Sequence, residues 1–452
     1  MQLRAVRTLR LLAMLLAAAA LLVPAAAAAH GHGKRHHQQR HHSRDHGNQG
    51  APNALYTTTN NPSGNAVIMY TRHPDGTITQ NGSPVSTGGN GAASEPPFGF
   101  PIVDSSGSTN ITPDGKLLFV VNAGDNSVSS FKTTSAGPQL VDHVSSGGTL
   151  PISLTSHGNL LYVVNEESAN ITGWSFSSTG HLTPIAGSTE SLSVPFDPAN
   201  PPSGVAAQIG FSPSGHQLVV TIRGLPAPNG VIDVFSVDSH GAAGPAVGHK
   251  APTPNPFGFS FARQNNLLVS DAGFVATPSG TADNPGGSQP NPFDPSQFFG
   301  SAASFSLSPS GALKFKGDYP DGGRAACWLV VSKDQRYAFA SNTLASPAGS
   351  AAGVGTGKGA VSTFAVSPHG RLTLVSQTDA FPFGDPTQGG GFPGDEALSS
   401  DGKFLYLLNP SIIFGGPSHI DAYRVGPGGS LTHIQTVGDA ILPPSTSGLG
   451  VN

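Results

Sequence analysis

Apolar residues in this chain gather into short runs, and the runs recur in a fixed order. One kind is almost unbroken: "LLFVVN" at 117–122, "LLYVVN" at 160–165, "QLVVTI" at 217–222, "NLLVSD" at 266–271, "YAFASN" at 337–342 and "FLYLLN" at 404–409. Runs this short and this apolar predict strands covered on both faces. Each is preceded by a polar turn, in the order "TPDG", "TSHG", "SPSG", "ARQN", "SKDQ" and "SSDG". A seventh run, "ALYTTTN" at 54–60, has no such turn before it.

A second signal follows each of these runs. It is a turn with a Thr-rich or apolar segment after it: "HPDGTITQ", "SAGPQLV", "SSTGHLTP", "DSHGAAGP", "SPSGALKF", "SPHGRLTL" and "GPGGSLTH". The glycines are Gly76, Gly137, Gly180, Gly241, Gly311, Gly370 and Gly429. Glycine recurs where a tight hairpin needs a positive φ that other residues resist. Seven echoes with four strands per echo predict an all-β fold, a seven-bladed β-propeller of four-stranded antiparallel blades.

The blade beginning at 54 lacks an inner strand, and the C-terminal "PPSTSGLGVN" resembles an inner strand without its turn. The expectation is that the C-terminal strand joins the first blade and closes the ring. Four residues before each turn position stand Ile111, Leu154, Phe211, Phe261, Val331 and Leu398, all apolar, as packing between blades requires. Seven residues before it stand Ser108, Pro151, Gln208, Gly258, Trp328 and Asp395. That mixed row is expected at the mouth of the central channel.

The residues before the repeats change the picture. Arg4, Arg7 and Arg10 precede an apolar stretch from Leu11 to Val23 and an alanine run ending at Ala29. This order predicts a signal peptide over 1–29 and a secreted or cell-envelope protein, with an uncleaved anchor as the alternative. Residues 30–50 hold seven histidines and no apolar anchor, which predicts a disordered linker. It reads either as a spacer or as a weak metal tether through His30, His32, His36, His37, His41 and His42, or a pH-dependent cation for anionic envelope polymers.

The propeller segment, 51–452, carries 15 Lys or Arg against 25 Asp or Glu. An excess of acidic groups argues against nucleic acid as a partner. The single cysteine, Cys327, allows no internal disulfide, so the core alone must hold the fold. In "AACWLVV" it reads as a small buried residue, since no histidine is placed to activate it. No resident cofactor and no metal site inside the propeller are expected, and a monomer is.

The unit "PDGKLLFVVN" followed by "SVSSF" and a glycine turn, repeated around the ring, resembles the lactonase family of seven-bladed propellers. That family includes bacterial 6-phosphogluconolactonases and fungal carboxymuconate cyclases. The resemblance covers 51–452 and implies action on a small lactone or an unsaturated carboxylic acid. "VVNEES" places Asn165 and Glu166 on the family's "NEL" motif. The family's "PRH" motif has no counterpart; "PGDEALSSDG" at 393–402 stands in place of a similar segment.

Length variation locates a working face. Insertions follow the second strand of a blade at 224–229, 272–302 and 343–359, and long connections between blades occur at 93–107, 193–205 and 381–394. All fall on one face, where loops on a rigid scaffold carry recognition. Charged groups that reach it are few. Glu166 and Glu396 are candidate bases, and Arg223 and Arg324 candidate holders of a carboxylate or an oxyanion. Gln208, Asp271, Trp328 and Asp395 are candidate substrate contacts, with Trp328 open between packing and a stacking platform. The competing reading is a non-catalytic propeller that holds a cell-surface polymer or protein partner on the same face.

Overall fold

Seven sheets form the chain, every one of them antiparallel and built around an apolar second strand. The computed structural model describes residues 51–452 except 52, 94–102, 104, 200–203, 225–229, 254, 273–299, 345–358, 380–392, 411–417 and 439–441. The expected signal peptide and His-rich linker lie outside the described residues, as do most of the insertions at 224–229, 272–302, 343–359 and 381–394.

From the axis outward, blade 2 runs Thr109–Ile111, Leu117–Asn122, Ser127–Lys132 and Gln139–Ser145. Blades 3 to 7 repeat this order, with inner strands Pro151–His157, Val205–Phe211, Pro256–Ala262, Arg324–Val331 and Asp395–Leu398. Blade 1 is assembled from both ends of the propeller. Its inner strand is Ser447–Val451, paired with Ala54–Thr58 and followed by Ala66–Arg72. In blades 1 and 3 the outermost position is split between two short strands. Each inner strand packs on the next around the ring, and Ser447–Val451 packs on those of blades 7 and 2, which makes the circle complete.

Burial falls from the axis to the rim. The second strands "LLFVVN" and "FLYLLN" are buried at every residue, whereas the outer strand "QLVDHVS" has no buried residue. The apolar positions do not make one central core. They make a separate cluster at each blade junction, such as Phe261 with Val219 and Ile232, or Leu398 with Phe339 and Val361. The apolar row four residues before the turns supplies the inner-strand member at six junctions.

Turn geometry explains the glycine rhythm. All seven second-turn glycines, from Gly76 to Gly429, have positive φ. All but Gly137 also sit against the preceding blade. A Cβ on Gly76 would fall 2.2 Å from the Phe404 ring, and Tyr406 donates its hydroxyl to the Gly76 carbonyl at 2.9 Å. Tyr162 does the same to Gly241 at 2.6 Å. At the first turn the left-handed backbone persists without glycine: Asn265 has φ 56° and Gln335 φ 58°.

Closure uses polar groups as well as the apolar cluster of Leu55, Tyr70, Phe404, Tyr406 and Leu449. The Asn452 side chain accepts from the Ala54 amide and donates to the Ala51 carbonyl, each at 2.7 Å. Arg72, buried, donates to Asn53 and to the Asn452 carbonyl. Leu449→Ala is expected to cost about 2–3 kcal/mol by the cavity it leaves, read as a lower urea midpoint. Deleting 447–452 leaves the 54–58 edge bare and is expected to yield aggregate on size exclusion. A deletion variant with the parent's midpoint and elution would show that closure does not carry the fold.

Candidate functional site

The inner strands cannot pair with one another along the axis, so side chains bridge them instead. Ser108 and Ser447 hydroxyls meet between blades 1 and 2 at 3.2 Å. Ser153 donates to the Ser106 carbonyl and accepts from the Ile209 amide, joining blades 2, 3 and 4. Ser260 donates to the Leu329 carbonyl at 3.0 Å between blades 5 and 6. Gln208 spans blades 4 and 5: its Nε2 donates to the Phe259 carbonyl at 3.0 Å, and its Oε1 accepts from the Phe259 amide at 2.7 Å. Both ends of the Gln208 amide are thus engaged in blade-to-blade bonding. Gly258 sits in the same row because a Cβ there would lie 2.7 Å from the Cys327 carbonyl.

Asp395 has the corresponding place between blades 7 and 1. Its Oδ2 accepts from the Leu449 amide of the closing strand at 2.9 Å. Burial pushes its carboxyl up to about 7. Glu396 points the other way, between blades 7 and 6. Burial pushes it well above the usual carboxylate range, and the Asp395 charge adds to this. The Val330 amide and Ser341 hydroxyl are close enough to oppose the shift, yet neither forms a hydrogen bond with it. Sequence reasoning missed a third buried acid, Asp321, which accepts from the Gly323 amide at 2.7 Å and is pushed up to about 6 by burial.

The mouth of the channel is closed by protein. The segment leading into blade 2 reaches blades 3, 4 and 6: Ser105 donates its hydroxyl to the Ile152 carbonyl at 2.6 Å, and Ser106 donates its amide to Ala207 at 3.1 Å. Trp328, 1% exposed, donates its indole N–H to the Ser105 carbonyl at 3.0 Å. Phe257 packs edge-on against Trp328, with ring centroids 5.2 Å apart. Cys327 lies in the same buried cluster and receives the Thr343 hydroxyl at its Sγ, 2.9 Å away. Only a neighbour-by-neighbour view reveals this, because Ser105 and Trp328 are 223 residues apart.

Around this plug, three candidate residues end the second strands of successive blades or begin the turn after them. Glu166 opens the hairpin after Leu160–Asn165 of blade 3 and is fully buried. Arg223 closes Gln217–Arg223 of blade 4, its guanidinium carbon 5.1 Å from the Phe257 centroid. Asp271 closes Asn266–Asp271 of blade 5 and accepts from the Asn255 amide at 3.2 Å. Arg324 starts the inner strand of blade 6, in register with Leu344; its side chain lies outside the described residues. Glu396 belongs to a different junction and is not brought to this group.

The same strand ends carry a row that sequence reasoning passed over. Asn122, Asn165, Asn342 and Asn409 are fully buried. Asn342 donates to Ser362, and Asn409 to Asp421, each on the next strand of its own blade. The recurring "N" of "VVN" and "LLN" was the available signal. Among the described residues, no group of three or more His, Cys, Asp or Glu side chains converges as metal ligands would.

A groove of about 500 Å³ lies farther out, between blades 6 and 7, lined by Gln377, Thr378, Asp379, Tyr423 and His433. His433 is held there by the buried Asp421, at 3.3 Å, which raises its pKa.

A sequence profile of the lactonase seven-bladed β-propellers matches residues 16–195 and 108–272. The chain belongs to that family. Among curated proteins, none is similar enough in sequence to match. Solved structures share the fold at low identity. A candidate 6-phosphogluconolactonase from Bacteroides uniformis ATCC 8492 is 17% identical with a TM-score of 0.59, covering 87% of this chain and 98% of its own. The periplasmic gluconolactonase of Pseudomonas aeruginosa is 18% identical with a TM-score of 0.57, with the same coverage of both chains. A hypothetical selenium-binding protein of Sulfolobus tokodaii is 10% identical with a TM-score of 0.56, covering 88% of this chain and 92% of its own.

The buried acids of this lactonase-family propeller give a pH dependence with a definite sign. Asp395, Asp321 and Glu396 hold their protons more tightly folded than unfolded. The stability they contribute is complete below about pH 4 and is lost as pH rises, through about 6 for Asp321 and about 7 for Asp395, with Glu396 acting in the same direction. Urea midpoints are therefore expected to fall between pH 5 and pH 8. Glu396→Gln, which copies the neutral acid, is expected to flatten that fall and to raise the midpoint at pH 8. A steeper fall in the variant would contradict the burial of this group as an acid.

Proposed function

We propose that this family member is an exported enzyme that opens a small lactone with water, or closes an unsaturated carboxylic acid to one. The observation carrying this reading is the set Glu166, Arg223 and Asp271, buried at one end of three successive blades beneath the face with the variable loops. In a lactonase-family scaffold that face is where a substrate meets charged groups that packing does not require. Export is read from the basic start, apolar stretch and alanine run of residues 1–29.

In this reading Glu166 takes a proton from water as the water oxygen adds to the lactone carbonyl carbon. The negative charge that develops on the carbonyl oxygen is held by the Arg223 guanidinium, aided by Arg324. Collapse of the tetrahedral adduct breaks the ring C–O bond. The leaving oxygen takes the proton back, and the product is a hydroxy acid. Asp271 holds a substrate hydroxyl. Glu396, enclosed between blades 6 and 7, takes no part in the chemistry, and Asp395 serves the closing strand.

The substrate class follows from charge. Two of the solved neighbours named above are a gluconolactonase and a candidate 6-phosphogluconolactonase. With 15 Lys or Arg in 51–452, an unphosphorylated lactone suits this chain better than a phosphosugar. Acid release from a lactone panel at constant pH tests the reading. Glu166→Gln is expected to lower kcat/KM about 100-fold, and Arg223→Ala about tenfold or more, each measured under conditions where the variant's unfolding curve shows it to be folded. Failure of the parent to open any lactone in the panel, or full activity in both variants, removes the proposal.

A further inference from the structure

The face opposite the variable loops carries two turns from each blade, one after the inner strand and one before the outer strand. In blades 5, 6 and 7 these turns hold an arc of exposed cations. Four of them reach across blade junctions. Arg263 of blade 5 donates to the Asp334 carbonyl of blade 6 at 2.6 Å, and Lys333 of blade 6 to the Ser400 carbonyl of blade 7 at 2.8 Å. Lys316 of blade 5 donates to the His369 carbonyl of blade 6 at 2.9 Å, and Arg424 of blade 7 to the Asp75 carbonyl of blade 1 at 3.3 Å. Four more, Lys314, Arg336, Arg371 and Lys403, are exposed in or beside the same turns. These eight are more than half of the 15 Lys or Arg in 51–452, gathered on three blades. Two carboxylates share their turns, Asp334 at 3.5 Å from Arg336 and Asp401 at 3.6 Å from Lys403. Eight cations against two acids leave a local surplus of six positive charges on a segment that is acidic as a whole.

Blade packing does not account for the surplus. Blades 3 and 4 have no Lys or Arg in the corresponding turns, and their junction is closed by an apolar cluster that includes Tyr162, Ile209 and Phe235. A bond to a carbonyl uses one donor of a lysine's three or an arginine's five and leaves the charge at the surface. The shape of the arc decides what it suits. Asp75, Asp334 and Asp401 are exposed in the turns of three successive blades, 6, 7 and 1, and a flat anionic sheet such as a bilayer would be pressed against all three. Leu140, Phe315 and Leu374 are exposed, but each stands on an outer strand opposite a phenylalanine, Phe131, Phe305 or Phe364. That position recurs in blade 2, away from the arc, so it belongs to blade architecture and not to membrane insertion. A flexible chain can follow the cations and avoid the aspartates. Exposed hydroxyls of Ser310, Ser400 and Ser430 lie among the cations, and they suit sugar hydroxyls better than an unbroken row of phosphates.

We propose that the turn face of blades 5 to 7 is a docking surface for an acidic polysaccharide, a flexible chain of carboxylate-bearing sugars. The lysines and arginines meet its carboxylates, and the four carbonyl bridges hold their side chains in place before the polymer arrives. The export reading puts the protein among such chains. The surface uses no residue of the variable face, so it holds the protein on a polymer while that face stays open to solvent. It stands whether or not the chain opens a lactone.

The test is binding of the full chain to immobilised polygalacturonate, beside neutral dextran, polyphosphate, and vesicles of phosphatidylglycerol with phosphatidylcholine. The parent is expected to bind polygalacturonate at low ionic strength, to pass over dextran, and to be released as added salt screens the charges. A triple variant, Lys314→Gln with Arg371→Gln and Lys403→Gln, removes one cation from each blade of the arc and none of the four bridges. It is expected to weaken binding about tenfold, the scale of three exposed ion pairs. Lys116→Gln with Lys132→Gln and Lys250→Gln makes the same change in net charge outside the arc and is expected to stay within about twofold of the parent. Both variants keep residues 30–50, so the cations of that segment cancel in the comparison. Urea midpoints check that each variant is folded. No binding by the parent, or an arc variant that loses no more than the control, overturns the proposal. Tighter binding of vesicles or polyphosphate than of polygalacturonate assigns the arc to another partner and overturns it as well.

Discussion

Seven inner strands meet around the axis with one edge of each left without a strand partner, and those backbone groups must still be satisfied. The structure answers with short polar side chains. Ser108, Ser153, Gln208, Ser260 and Asp395 each bond to a group on the neighbouring blade, the first to a serine hydroxyl and the others to backbone. This ring of bridges fixes the spacing of the blades, and everything at the mouth is built on it. It also limits what the mouth row can do chemically. A residue such as Gln208, with both ends of its amide committed to Phe259, holds the ring together before it holds anything else.

The same constraint divides the acidic residues by role. Asp395 bonds the amide of Leu449 and so belongs to ring closure, while Glu396, one residue on, is shut between two blades. Adjacent residues of a strand point to opposite faces, so two neighbouring acids enter two different junctions. Glu166, Arg223 and Asp271 are arranged differently. They stand at the far end of the second strands, where pairing is already complete and the chain turns towards the variable face.

Closure of the mouth is the other organising feature. Trp328, Phe257 and Ser105 are buried together on that face, tying the segment that enters blade 2 to blades 5 and 6. This aromatic cluster lowers the local dielectric and strengthens any charge interaction beside it. It also couples blades 2, 4, 5 and 6 across the axis, which blade-to-blade contacts alone would not do.

The blade count, strand order, turn positions and closure by 447–451 were legible from the residues alone, because each rests on a local period repeated seven times. Gly76 and its six counterparts mark the turns through their own backbone requirement, and the apolar runs mark strands covered on both faces. The partners of single side chains were not legible. Trp328 read equally as platform or packing because its decisive partner, the Ser105 carbonyl, is remote in sequence and carries no residue-specific signal. Glu396 read as a candidate base and Asp395 as a candidate substrate contact, and no pattern singled out Phe257. Periodicity sets which way a side chain points, whereas burial, hydrogen-bond partners and the fate of a charge depend on what the fold brings opposite it, and that only the assembled ring decided.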